Sequence, residues 1–114
     1  MTPEGNHIGV RDRGRLRMVR VDRILWVRAA GGLSELHLEE GVPIRVSPGL
    51  GRMEERLSPL GFVRIHRSTL VNLRVVGELR HKASGNYVVT LRNGCRLELS
   101  RNRRAEVLRR LGAL

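Results

Sequence analysis

A chain of 114 residues is long enough for one domain with its own core and short for two. Twenty-two Lys+Arg against 11 Asp+Glu give a formal charge of +11, an imbalance that repels itself in the folded state and asks for a polyanion, nucleic acid first and anionic membrane second. No apolar run nears the roughly 20 residues that span a bilayer, Met1-Thr2-Pro3-Glu4-Gly5 lacks the blocks of a signal peptide, and the single cysteine, Cys95, excludes an intramolecular disulfide framework.

These features suit a cytoplasmic protein with residues 1–6 as an N-terminal tail and residues 7–114 as one domain. Lys82 is the one lysine, and arginine suits bidentate contacts to phosphate and to guanine edges. A GC-rich genome would explain the choice of arginine over lysine, but not the excess of cations.

Short apolar/polar alternations dominate and predict strands. His7 to Arg11 and Arg15 to Arg20 read as two strands around a turn at Asp12-Arg13-Gly14. Ile24-Leu25-Trp26-Val27 reads as a buried strand that ends at Ala29-Ala30-Gly31-Gly32. Glu35 to Glu39 and Val42 to Val46 follow as a hairpin. A loop of Glu39-Glu40-Gly41 pairs Leu38 with Val42 and Leu36 with Ile44, whereas a shorter loop would pair Leu38 with Pro43 and spoil the apolar face. Ser47 is expected to cap a helix with Pro48 at its first position and a stripe of Leu50, Met53, Leu57 and Leu60, ending at Gly61.

Phe62-Val63-Arg64-Ile65-His66-Arg67-Ser68-Thr69-Leu70-Val71-Asn72-Leu73 looks too polar for a buried strand and too poorly periodic for an amphipathic helix. A strand turning into a short helix at His66-Arg67-Ser68, with Ser68 as cap and Asn72 as terminator, fits the pattern. Further on, a loop of Arg92-Asn93-Gly94 pairs Leu91 with Cys95, Val89 with Leu97 and Tyr87 with Leu99, with Gly94 left-handed. Cys95 is then a small buried hydrophobe rather than a nucleophile. The last helix is expected from Ser100, with Ala105, Leu108 and Leu111 inward and a stop at Gly112.

Two places invite a partner. Arg101, Arg103 and Arg104 crowd the start of the last helix beside Asn102, where a docked phosphate would relieve the conflict with the helix dipole. At the corner, His66 reads as a structural hydrogen-bonder, and Arg67 lacks an acidic partner in its own segment. His66 beside Ser68 is a weak pattern for nucleophilic catalysis, with no nearby acid to orient the imidazole. His7, His37, His66 and Cys95 are too scattered for a metal site, and no phosphate-binding Gly-Lys-Ser/Thr loop occurs. Trp26, Phe62 and Tyr87 are too few, and expected to be too buried, for a single-strand stacking platform.

The stretch from Phe62 to Leu73 closely resembles the signature of the LytTR DNA-binding domain family. Asp22-Arg23-Ile24-Leu25-Trp26-Val27-Arg28-Ala29 resembles that family's strand ending in an acidic-then-alanine pair, with Arg28 where glutamate usually stands. Leu99-Ser100-Arg101 resembles its Ser-Arg entry into the last helix, and the likeness runs from Val19 to Leu111.

The resemblance implies a mostly β fold, about ten short strands in stacked antiparallel sheets with one or two α-helices. It also implies a bacterial transcription regulator whose three loops read successive major grooves of double-stranded DNA and the backbone between them. Carried over by position, Arg67 and Ser68 lie in one loop, Arg101 is the base-reading arginine, and Arg104 is a phosphate contact. The third loop corresponds to Gly31-Gly32-Leu33-Ser34, with Ser34 as its contact.

Asn102 and Arg103 complete the expected DNA-binding set beside Arg101. Repeated half-sites at a promoter and a homodimer on DNA are further expectations, with no catalysis, cofactor, metal or membrane. No receiver-domain sequence precedes the region, so the chain is expected to be an output domain or a stand-alone regulator. Two rivals remain: a basic RNA- or ribosome-binding module, and an enzyme using His66 and Ser68.

Overall fold

The computed structural model describes residues 6–113. In chain order the strands are β1 (His7–Asp12), β2 (Arg15–Arg20), β3 (Ile24–Ala30), β4 (Leu33–Leu38) and β5 (Ile44–Val46), then helix α1 (Leu50–Leu57). There follow β6 (Phe62–His66), β7 (Thr69–Asn72), β8 (Val76–His81), β9 (Tyr87–Leu91), β10 (Arg96–Leu99) and α2 (Arg104–Arg110). Among the described residues these form three antiparallel sheets: a β1–β2 ribbon, a central sheet in the order β5-β4-β3-β7-β6, and an outer sheet in the order β10-β9-β8. The mostly β architecture with two helices is the one expected. The tail expected over residues 1–6 lies outside the described residues except for Asn6, whose carbonyl accepts from the Val21 N–H at 2.9 Å.

The central sheet is a middle layer, and alternation along its strands divides the core in two. Ile24, Val27, Leu36, Phe62 and Leu70 face one cluster, closed by Ile8, Val10 and Val19 of the ribbon and Leu50, Met53 and Leu57 of α1. Trp26, Val63, Ile65 and Val71 face the other, closed by Val89, Leu91, Leu97 and Leu99 of the outer sheet and Val107 of α2. A strand covered on both faces need not alternate, because neither face meets water.

That layer overturns the expected strand-to-helix corner. Phe62 to Asn72 is a tight hairpin, and every residue of β7 is buried although two of the four are Thr69 and Asn72. Their polar groups are satisfied inside. Asn72 donates Nδ2–H to the Ile24 carbonyl at 3.0 Å, and its Oδ1 accepts from the Arg74 N–H at 3.0 Å. Asn72 therefore begins the 3-10 turn Leu73–Val75 instead of ending a helix.

The later hairpin has the expected register, with Leu97 opposite Val89, Leu99 opposite Tyr87, and the Leu91 N–H on the Cys95 carbonyl at 2.8 Å. Gly94 takes a φ of +92°, which side-chain-bearing residues resist. In the earlier hairpin Leu36 does face Ile44, but β5 begins only there, and Val42 is 79% exposed instead of pairing with Leu38.

Both helix starts also differ. Ser47 is held extended by paired backbone bonds to Arg11, so α1 begins at Leu50 with Gly49 before it. Ser100 precedes a 3-10 turn, Arg101–Arg103, and makes no capping side-chain bond. In α2 the fully inward residue is Val107, while Ala105 is exposed. The 3-10 entry shifts the helix phase and rotates Ala105 away from the core.

Candidate nucleic-acid interface

Strand direction gathers three connections at one end of the central sheet. β3 ends there and turns at Gly31-Gly32 into β4, and β7 begins there with Thr69 opposite Arg28. Hence the β6–β7 turn, Arg67-Ser68, lies beside the end of β3, and the Ala29 N–H donates to the Ser68 carbonyl at 2.9 Å. The entry to α2 joins them, because the Ser100 N–H donates to the Ile65 carbonyl at 2.8 Å. Arg28 keeps the strands in regular register, opposite Glu35 on one side and Thr69 on the other. Its guanidinium lies over the Trp26 indole, 4.8 Å from the ring centre.

The β6–β7 turn is fixed by side chains whose role the sequence motifs did not announce. Arg64 donates Nε–H to the His66 carbonyl at 2.9 Å, Nη2–H to the Arg67 carbonyl, and Nη1–H to Glu54 Oε1 at 2.8 Å. One guanidinium thus ties the turn to α1. His66 is the structural hydrogen-bonder expected, with Nδ1 accepting from the Ser68 N–H at 3.2 Å and lying 2.8 Å from the Ser68 hydroxyl. Ser68 is therefore engaged within the turn.

Arg67 is exposed and has no ion pair among the described residues. The nearest acid to His66 is Glu98, unforeseen in the sequence. Its Oε2 is 3.9 Å from Nε2 and its side chain 66% exposed, which is too long and too wet to orient the ring as in a nucleophilic triad.

The other expected residues divide. Arg101 and Asn102 are exposed, Arg103 is half-buried, and neither arginine has an ion pair among the described residues. Arg104 lies over the Tyr87 ring at 4.7 Å, so this aromatic, packed against the core at its edge, is half-buried and also a platform. Because Arg101–Arg103 forms a 3-10 turn ahead of the seven-residue α2, the case for a partner rests on these exposed cations and not on a helix dipole.

Ser34 is a correction. It is 0% exposed and donates its hydroxyl to the Pro48 carbonyl at 2.7 Å, which anchors the β3–β4 turn and leaves Gly31, Gly32 and Leu33 as that loop's exposed part. Alternation along β4 sends Ser34 to the same face as buried Leu36, a signal the sequence already contained.

Neighbouring groups are tuned by packing. His37 stacks on Trp26 with centroids 3.7 Å apart and bonds Glu35 at 2.8 Å. Burial lowers the His37 pKa despite the carboxylate, while the His37 hydrogen bond chiefly lowers that of Glu35. The neutral ring donates from Nε2 to the Glu35 carboxylate. Burial likewise raises the Cys95 thiol above its ordinary range, which disfavours a nucleophilic thiolate.

Residues 14–112 match the family described as the LytTr DNA-binding domain. The chain belongs to that family. The LytTr match spans all three connections and both arginine-bearing turns. Transcriptional regulatory protein LytR of Staphylococcus aureus (strain N315) is 28% identical over 88 residues, which cover 77% of this chain and 35% of that protein. Sensory transduction protein LytR of Staphylococcus saprophyticus is 27% identical over 90 residues, covering 77% and 34%.

This LytTr chain thus spans about a third of the length of those relatives. A LytTr DNA-binding domain from Bacillus cereus superposes with a TM-score of 0.75 at 19% identity, covering 93% of this chain and 96% of the other, and so shares the fold. No described helix is long and apolar enough to cross a membrane.

Proposed function

We propose that residues 7–114 form the DNA-binding unit of a bacterial transcription regulator and read duplex DNA with turns instead of a recognition helix. Arg67 and Arg101 read base edges in successive major grooves, while Arg103, Arg104 and Asn102 contact the backbone between them. Ser68 serves by shaping the turn that carries Arg67. Two copies side by side on repeated half-sites would extend the footprint, and a regulator of chromosomal promoters acts in the cytoplasm. The observation that carries this reading is the pair of exposed arginines, free of ion pairs among the described residues, on two turns joined by the Ser100–Ile65 backbone bond.

Selection of binding sites from random duplex DNA tests specificity and half-site spacing together. On the selected site Arg101→Ala is expected to cost about 1–3 kcal/mol, with less lost on random duplex. Equal loss on both would make Arg101 a phosphate clamp. Binding is expected to weaken steeply with salt as counterions are released, and a flat response would remove the polyanion argument. The RNA- or ribosome-binding alternative gains nothing from the family or the fold; structured RNA out-competing duplex DNA at fixed salt would revive it.

A further inference from the structure

The β8–β9 turn, Lys82 to Asn86, matches none of the motifs that point to DNA, yet Arg101 of the α2 entry lies against it and Arg104 lies on Tyr87 at its exit. The turn is closed by the Lys82 N–H on the Asn86 carbonyl at 2.7 Å and the Gly85 N–H on the Lys82 carbonyl at 3.0 Å. Gly85 has a φ of +93°, and a Cβ placed there would lie 3.1 Å from Arg101 Nη2. The Arg101 guanidinium therefore lies against bare backbone, close enough that a Cβ there would press on it and shift it. At the exit of the turn, Tyr87 carries Arg104 on its ring and stacks with His81 at 4.5 Å. From His81 to Asn86 there is no acidic residue, and Lys82 is exposed without an ion pair among the described residues.

We propose that this turn is a further element of the DNA-binding surface, in which Lys82 takes a backbone phosphate and Gly85 sets the reach of Arg101. The inference rests on the DNA-binding reading above. An arginine that enters a groove passes between the phosphates that wall it, so a turn packed against its guanidinium meets that wall. A compact ammonium suits a single phosphate, whereas the planar guanidinium of Arg101 suits a base edge. Gly85 is a positioning residue, acting through Arg101.

The test uses the full chain and its duplex selected from random DNA, with affinities measured across a salt series on selected and random duplexes. Lys82→Gln is expected to weaken both by a similar factor and to reduce the salt slope by about one. Gly85→Ala is expected to lower the ratio of selected to random affinity by about tenfold, and to lower it no further in an Arg101→Ala background. Thermal melting of each variant separates this from loss of fold, since partial unfolding lowers both affinities equally. If Gly85→Ala does not fold, the salt slope of Lys82→Gln decides alone. An unchanged slope in Lys82→Gln, on a wild-type chain that binds with a steep slope, overturns this role for the turn. A wild-type chain with a flat response and no preferred duplex overturns the DNA reading with it.

Discussion

At the β6–β7 turn Arg67 is held out by charged and polar side chains, whereas at the entry to α2 Arg101 rests on backbone and on a neighbouring turn. The first uses Arg64, Glu54, His66 and Ser68, four side chains bonded around the exposed Arg67. The second uses the Ser100–Ile65 backbone bond, the bare face of Gly85 and the stack of Arg104 on Tyr87. A hairpin tip projects beyond its strands and has no packing of its own, so hydrogen bonds must hold it. The α2 entry instead sits over buried Leu97, Leu99 and Val107 and inherits their rigidity. Damage to the first should therefore show in local order before it shows in the core.

The largest effect that would break this contrast is Arg64→Ala. It removes donors from two carbonyls of the turn and the ion pair to Glu54, with Arg64 only 17% exposed. The expected cost is about 2–3 kcal/mol in urea unfolding. In the folded protein Arg67 should lose its contribution to DNA affinity while Arg101 keeps its own. A variant that loses both contributions equally would mean that the two turns are one unit.

Ser68→Ala is a smaller cut at the same turn. It removes the hydroxyl that bonds His66 Nδ1 but leaves the Ser68 N–H on the same nitrogen. About 1 kcal/mol of stability should go, with DNA selectivity close to wild type. A loss of selectivity with unchanged stability would make Ser68 a direct DNA contact.

The legible and illegible parts of this molecule follow the same division. The β9–β10 register was readable because a two-residue loop would have turned Leu91 and Val89 against Arg96 and Glu98. Alternation needs one wet face, and β7 has none, so Thr69 to Asn72 read as a short helix ended by Asn72 while forming a strand inside the middle layer. The arginines of the site were legible from charge and from the family signature. Their supports were not: Arg64 pairs with Glu54 across two elements, and Gly85 meets Arg101 from a strand connection of no distinctive periodicity. β8, with Gly77 and Glu78 exposed and only Val76 and Leu79 packing inward, has little pattern to read.

The smallest expected effect calibrates the contrast, because it changes stability without touching either arginine. His37 is half-buried, stacked on Trp26 of the cluster that Val107 of α2 helps to close, and burial lowers its proton affinity in the folded chain. The unfolded chain therefore binds the proton more readily. Above the ordinary histidine value of about 6.5 neither state is protonated and the residue adds no pH dependence. Below it the unfolded state is favoured, and stability falls until the folded chain also takes the proton.

Glu35 acts in a lower window. Its lowered pKa gives stability that is full above the ordinary carboxylate range and lost as pH falls through its folded value. The melting temperature should thus start to drop as pH falls below about 6.5, where the unfolded histidine takes its proton. The drop should be shallower in His37→Gln, which cannot take a proton. DNA affinity of the folded fraction, compared between His37→Gln and wild type at neutral pH, should be unchanged if stability alone has moved. A matching loss of affinity would instead mean that the cluster shared by Trp26 and Val107 transmits strain to Arg101, and the packed route would be no more rigid than the hydrogen-bonded one.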